Sequence, residues 1–494
     1  MSKKSLLSAF LTSVLIAGLV LASDLRFGTV QASTDVMGIL TSDTTWTKVN
    51  GPYNLKGPTA VSEDVTLTIE AGTTVNLNEH YIQVNGTLIA SGTDNDKIYF
   101  EAGSIIFTPI STSWNEQTSS GSIIENAVLN NSVSISSVSV KLSKSSLNGI
   151  EIDGGSSIVS YNSIELVEIN DGSPTITNNN INGDFTIMGG SPTITANTIQ
   201  GRPWLRRGSA VFSGNKIFDG IHADASPGGS ITISNNELSS RGDYAIISVL
   251  GIHADISENK IAGTNNKPTG ISISGVLSSA TISQNQICGC KTGINVGQSN
   301  VQIYGNAISN NDIGINIQFT APIAGATGAY AENKIADIQA NTIAENSIGI
   351  QFTPYVLTST IANNNIYENS QYNFKLRQFQ KDVTISNNWW GTIDQQAINQ
   401  TIYDNKYDFN LGKVNFEPFL TAPNPEAPDA TYVPTSTPPP TDSPPPSDSP
   451  STSPPPSQEP TLMPEQFEVI LGVAIATAVI TAGLGLLIYL IKRK

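Results

Sequence analysis

An all-β solenoid of short parallel strands wound into stacked coils is the fold class that this 494-residue sequence predicts. Three observations carry the prediction. First, a degenerate unit, apolar-x-apolar-x-x-Asn-x-apolar, recurs along the chain. It reads Ile231, Ile233, Asn236 and Leu238 in one copy, and Ala280, Ile282, Asn285 and Ile287 in another. Second, aligned copies place the asparagine at Asn162, Asn179, Asn197, Asn215, Asn236, Asn259, Asn285, Asn306, Asn341, Asn364 and Asn388. The steps run 17, 18, 18, 21, 23, 26, 21, 35, 23 and 24, a loose period of a solenoid. Third, a further short alternating run follows the asparagine. Gly293-Ile294, Gly314-Ile315 and Gly349-Ile350 each begin eight residues after theirs.

The unit also fits the core of a leucine-rich repeat, and the same observations argue against it. Steps of 17 and 18 fall below the roughly 20-residue minimum of that repeat. The apolar positions are Ile and Val, which favour strands. A strand pattern stands where a helix would be expected. Two or three short strands per coil make a parallel β-helix, with like residues stacked at about 4.8 Å. Ile stacks would fill the interior. The asparagine is expected at a tight corner, because Asn tolerates the left-handed conformation. Turned inward, its amide would bond the amides above and below.

Bulk composition bounds the rest. Charged residues make up only 13% and the formal net charge is −16. An acidic surface repels phosphate backbones, so nucleic acid is excluded as a partner. The two cysteines, Cys288 and Cys290, flank Gly289. They are too few for a disulfide framework or a structural zinc site. A bridge between them would be strained, and a free thiol pair is the alternative.

Both ends address a membrane. Residues 1–32 read as a secretory signal peptide, with Lys3 and Lys4 before an apolar run from Leu6 to Ala22. Cleavage is expected after Ala32 or after Ala22. The solenoid is assigned to 33–422 and a disordered Pro/Ser/Thr-rich stalk to 423–466, with 16 prolines from Pro423 to Pro464. Polyproline II at roughly 3.1 Å per residue would lift the coils about 100 Å from a membrane. One C-terminal transmembrane helix is expected at 467–491, where Val469 to Ile491 is an uncharged run of 23 residues. The basic tail 492–494 marks its cytoplasmic side. The expected location is therefore the cell membrane, single-pass, with the repeats outside. Sequons at Asn85, Asn130 and Asn399 fit that exterior location.

The repeat resembles that of right-handed parallel β-helix proteins of pectin-lyase-like architecture, including NosD-type and secreted surface members. Val65–Val75 followed by Ile82–Ala90 looks like their opening coils. Asn388-Trp-Trp-Gly-Thr392, then Ile402–Asp404 and Leu411–Phe419, is similar to the closing segment of secreted prokaryotic members. The resemblance covers roughly Met37 to Ala422 and implies a right-handed fold. It says little about activity, because one fold hosts many functions.

The resemblance also sets what an enzyme should show. Polygalacturonase-like hydrolases carry three aspartates, two adjacent, and this chain has no Asp-Asp pair. Pectate-lyase-like enzymes bind calcium through aspartates beside an arginine base, and no such cluster stands out. Copper is expected to find few soft ligands among three His and four Met. No metal site and no cofactor are therefore predicted, with calcium reserved for the case of a lyase.

Two candidate clusters remain. Gly-Ile-His-Ala-Asp occurs at 220–224 and at 251–255, yet His222 follows its repeat asparagine and His253 precedes one. The copies should lie on different faces, not in one site. The better constellation aligns the runs starting at Phe185, Pro203 and Ile221, each six residues after its asparagine. Phe185, Ile187, Pro203, Leu205, Ile221 and Ala223 then point inward. Thr186, Trp204 and His222 stack outside, beside Met188, Arg206 and Asp224, with Arg202 and Arg207 flanking. Tryptophan packs on sugar rings and arginine binds carboxylates, so Arg202, Trp204, Arg206, His222 and Asp224 form the candidate ligand site. A cation–π and salt-bridge patch that merely shields the coils is the other reading. The sequence thus predicts a non-catalytic envelope or adhesion module for glycans or neighbouring surface proteins. The alternative is a polysaccharide lyase or glycoside hydrolase.

Overall fold

Ser230–Ser234, Glu237–Leu238 and Ile247–Leu250 make up one coil, and each lies parallel to its counterpart in the next coil. In the computed structural model, which describes residues 33–224, 228–319, 335–354 and 359–430, this three-strand coil is the building unit. The first strand of each coil joins a 15-stranded parallel sheet from Thr44–Trp46 to Thr360–Ala362. The other two strands join a 28-stranded sheet. Crossovers between parallel strands are right-handed in about 98% of cases, and this is a right-handed parallel β-helix.

Stacked residues of one kind build the core. Ile176, Ile194, Phe212, Ile233, Ile256, Ile282, Ile303, Ile338 and Ile361 are successive register partners. All are buried. A fully buried side chain of this size contributes roughly 1.5–3 kcal/mol through water release, so the stack is a main source of cohesion between coils.

The repeat asparagines form a hydrogen-bonded ladder beside that core. Asn236 illustrates the pattern. Its backbone N–H and its Nδ2 both donate to Asn259 Oδ1, at 2.9 and 3.0 Å. Its Nδ2 also reaches the carbonyls of Phe212 and Ser234. The side-chain link runs unbroken from Asn162 to Asn388. Before Asn162, Ser145 takes over. Its Oγ accepts from Ala127 N–H at 3.0 Å, and its own N–H donates to Asn162 Oδ1.

One expectation is corrected. The left-handed residue at the corner is not the ladder asparagine but the residue before it. Tyr161, Asn178, Ala196, Gly214, Asn235, Glu258, Gln284, Gly305, Ala340, Asn363 and Asn387 have φ between 52° and 66°. Only two of these are glycine, although a side chain there costs roughly 1–2 kcal/mol. The turn at this residue swings the next side chain inward. The asparagine is required for its amide, which satisfies buried backbone groups, and not for its backbone tolerance.

A second ladder escaped the sequence reading. Asn311 Nδ2 donates to Asn346 Oδ1, Asn346 Nδ2 to Asn369 Oδ1, and Asn369 Nδ2 to Asn373 Oδ1. Cys290 occupies the head of this row, with its N–H on Asn311 Oδ1. The signal was a second asparagine five residues after Asn306, Asn341 and Asn364.

The recurring Gly-Ile pairs also find a physical reason. Gly270, Gly293, Gly314 and Gly349 stack in register. A Cβ on Gly314 would stand 2.6 Å from the carbonyl oxygen of Gly349, and one on Gly293 would stand 2.7 Å from that of Gly314. The coils approach too closely there for any side chain.

At the C-terminal end the chain caps the stack. Trp390 is buried against Phe416, and Trp389 bridges to Asn365. Residues 423–430, the start of the expected stalk, lie against the coils. Asn424 N–H donates to Asn365 Oδ1 at 2.7 Å, and Asn365 Nδ2 returns a bond to Asn424 O. The expected signal peptide, the rest of the stalk, the membrane span, the basic tail and residues 320–334, within the 35-residue step from Asn306 to Asn341, lie outside the described residues. Among the described residues no helix is long and apolar enough to cross a membrane.

Candidate functional site

Three adjacent coils supply the Trp204 cluster. Thr186 pairs with Trp204 and Trp204 with His222, so the three share one outward row. Phe185, Ile187, Leu205, Ile221 and Ala223 are buried beneath it. Period-two alternation fixes this placement: inward apolar residues force their neighbours outward.

The side chains of the cluster are mutually engaged. The Arg206 guanidinium lies 3.7 Å from the Trp204 ring centre. The indole Nε1–H donates to Asp224 Oδ1 at 2.7 Å. The other Asp224 oxygen is 3.7 Å from His222 Nε2. His222 meets Trp204 edge-on, with ring centres 5.5 Å apart. Burial holds the His222 pKa below its usual value against the raising effect of Asp224, and Arg202 and Arg206 lower it further. The imidazole is therefore kept neutral near pH 7. Arg202 is directed elsewhere: it stacks on Tyr244 at 4.0 Å and donates to Ala245 O at 3.1 Å. Arg206 and Arg207 are exposed. The cluster offers an aromatic edge, a fixed carboxylate and two accessible guanidinium groups.

The second His-Ala-Asp copy lies on the 15-stranded sheet, away from the strand of His222. It makes a contact that the sequence did not reveal. His253 Nδ1 is 2.8 Å from Ser279 Oγ, and His253 Nε2 is 3.2 Å from Asp255 Oδ1. The order Ser–His–Asp resembles a nucleophilic triad. However, the Ser279 N–H is spent on Ile252 O, and the strand is paired along its length with its neighbours. With that N–H committed, Ser279 has no free backbone N–H of its own to offer an oxyanion. The register of the next coil, which placed Ser279 beside His253, was the signal that could have found it.

Cys288 and Cys290 are free thiols and fully buried. Burial pushes the Cys288 thiol up to about 12, and it raises Cys290 as well. We expect iodoacetamide at pH 8 to alkylate both at least roughly tenfold more slowly in the native protein than in denaturant. Equal rates, read by mass spectrometry, would show that the coil opens there.

The family model described as "Periplasmic copper-binding protein (NosD)" matches residues 207–327. The soft donors within that stretch are His222, His253, Cys288 and Cys290. The histidines lie on different sheets, and the thiols are held protonated in the core. Among the described residues no three His, Cys, Asp or Glu side chains are grouped to hold a metal ion. These donors do not fit a copper centre. No curated protein and no solved structure matches the chain. The chain is a right-handed parallel β-helix repeat protein, similar over residues 207–327 to the NosD family.

Proposed function

We propose that this chain is a non-catalytic module of the cell envelope, anchored in the membrane through residues 467–491. Its coils face outward and bind acidic glycans through the Trp204 cluster. The observation that carries this reading is the Arg206–Trp204 stack at 3.7 Å on an outward row whose flanking members, Thr186, Ser248 and Ser272, are small and polar. Arg206 and Arg207 supply the charge for a carboxylate, and the edge of Trp204 supplies an apolar surface for a sugar ring. Asp224 fixes the indole through its Nε1–H, which lowers the entropy lost on binding.

A glycan array with the full-length protein in detergent tests the reading. Uronic-acid-containing polysaccharides should bind, and Trp204→Ala should weaken binding by roughly tenfold or more. The melting temperature should change little, because Trp204 lies on the outer face. Unchanged binding by Trp204→Ala would remove the site. Release of unsaturated or reducing ends from acidic polysaccharides, with calcium dependence, would instead favour a polysaccharide lyase or hydrolase.

A further inference from the structure

The three sequons occupy very different environments. Asn85 is half-buried, and its Oδ1 accepts from Gln83 Nε2 at 3.1 Å and from Thr108 Oγ1 at 2.9 Å. The following Gly86 is wedged between coils, where a Cβ would meet Ser62 O at 2.2 Å. Asn130 is exposed but sits within the strand Ala127–Ser136, and its Nδ2 donates to Glu101 Oε2 at 2.6 Å. Asn399 differs from both. It is exposed on the last turn of the short helix Gln395–Gln400, and its side-chain amide has no hydrogen-bond partner among the described residues.

The local sequence explains that presentation. Asp394 caps the helix by accepting from the N–H groups of Gln396 and Ala397. Ile398 is fully buried and fixes the helix on the core, which turns its neighbour Asn399 outward. Thr401 closes the helix with its Oγ1 on Ile398 O at 2.8 Å. Terminal helical turns fray readily, and Asn399 and Gln400 are both exposed there, while Thr401 is anchored by Asn373. Beside Asn399 runs an open groove of about 390 Å³ lined by Gln395, Gln396, Lys413, Asn415, Phe416 and Glu417. That volume lies within the range of small-molecule sites, roughly 300–1,000 Å³. Amides, a lysine and a carboxylate suit the hydroxyls and acetamido group of a sugar.

We propose that Asn399 is an N-glycan acceptor and that the first sugar of its glycan lies in this groove. The donor is a polyprenyl-phosphate-linked oligosaccharide. The bond from sugar C1 to the phosphate oxygen breaks, and a bond from C1 to Asn399 Nδ2 forms. The amide proton passes to a base of the transferase, and the polyprenyl phosphate leaves. The site rests on the exterior location given under Proposed function.

The test uses full-length protein from the membranes of its native host. Trypsin cleavage after Lys381 and Lys406 gives a peptide spanning 382–406 that contains Asn399. We expect that peptide to carry a hexose or hexosamine mass increment, and the peptide containing Asn85 to carry none. Asn399→Gln and Thr401→Ala should abolish the increment, and Thr401→Ser should retain it. Loss of the sugar should also raise hydrogen exchange in Gln395–Gln400 and around Val414–Asn415. Protease added to intact cells separates the two claims. Molecules that are shaved from the surface yet unmodified at 382–406 overturn the acceptor site alone. Molecules inaccessible to the protease overturn the exterior reading and the site with it. An increment that survives Asn399→Gln also overturns the proposal.

Discussion

Asn285→Leu should destabilise the central coils by roughly 4 kcal/mol. The side chain is fully buried. Its Oδ1 accepts from the Asn259 backbone N–H at 3.0 Å and from Asn259 Nδ2 at 2.9 Å. Its Nδ2 donates to Ile256 O and Ser283 O, both at 2.9 Å, and to Asn306 Oδ1 at 3.0 Å. Leucine leaves several of these groups without partners and out of reach of water, at roughly 1–3 kcal/mol each, with partial relaxation. Asn285→Ser should cost about half as much, because Ser145 already fills the ladder position with one accepted and one donated bond. Repeat arrays unfold in parts, so the measurement is hydrogen exchange at Asn259, Asn285 and their neighbours, supported by urea titration. A leucine variant within 1 kcal/mol of the parent would mean that the ladder is ornamental.

Gly314→Ala should cost roughly 3 kcal/mol, at the upper end for overpacking. The added methyl would stand 2.6 Å from Gly349 O and 2.9 Å from Ile343 Cγ2. Neither neighbour has room to retreat, since Ile343 is buried and Gly349 is held in the strand Ile348–Thr353. The coils would have to part, which also stretches the adjoining Asn311–Asn346 ladder. Gly297→Ala is the matched control. It lies in the same strand as Gly293, and nothing stands within 4 Å of its Cβ position. Thermal melts of the two variants should separate clearly. Equal melting points would sink the close-approach account.

Much of this architecture is legible in the sequence because the physics of the coil repeats. Inward apolar residues alternate with outward polar ones, so one correctly aligned asparagine fixes the register of a whole coil. That is why Trp204 can be placed beside Thr186 and His222 from spacing alone. What spacing cannot supply is side-chain torsion. Nothing in the sequence turns Arg206 back over the indole or sends Arg202 toward Tyr244. The second ladder was hidden by its mixed occupants, since Cys290 stands where later coils have Asn311, Asn346 and Asn369. The left-handed residue was misplaced by one position because Asn tolerates that conformation, whereas residues as unsuited as Tyr161 and Glu258 adopt it here. The seat of residues 423–430 on Asn365 was masked by a composition that reads as stalk from Pro423 onward.

Both asparagine ladders run in the same direction. From Asn162 to Asn388, and again from Asn311 to Asn373, the bond between ladder side chains is donated toward the C-terminal cap, and each Oδ1 faces the N-terminal coils. Amide dipoles aligned head to tail add, and each polarises the next. Each ladder therefore carries an electrical polarity along the axis, with its positive end toward the Trp389–Trp390 cap. A helix gains such a pole from its backbone. Here it comes from one side chain per coil, and a single substitution would divide it into two shorter dipoles.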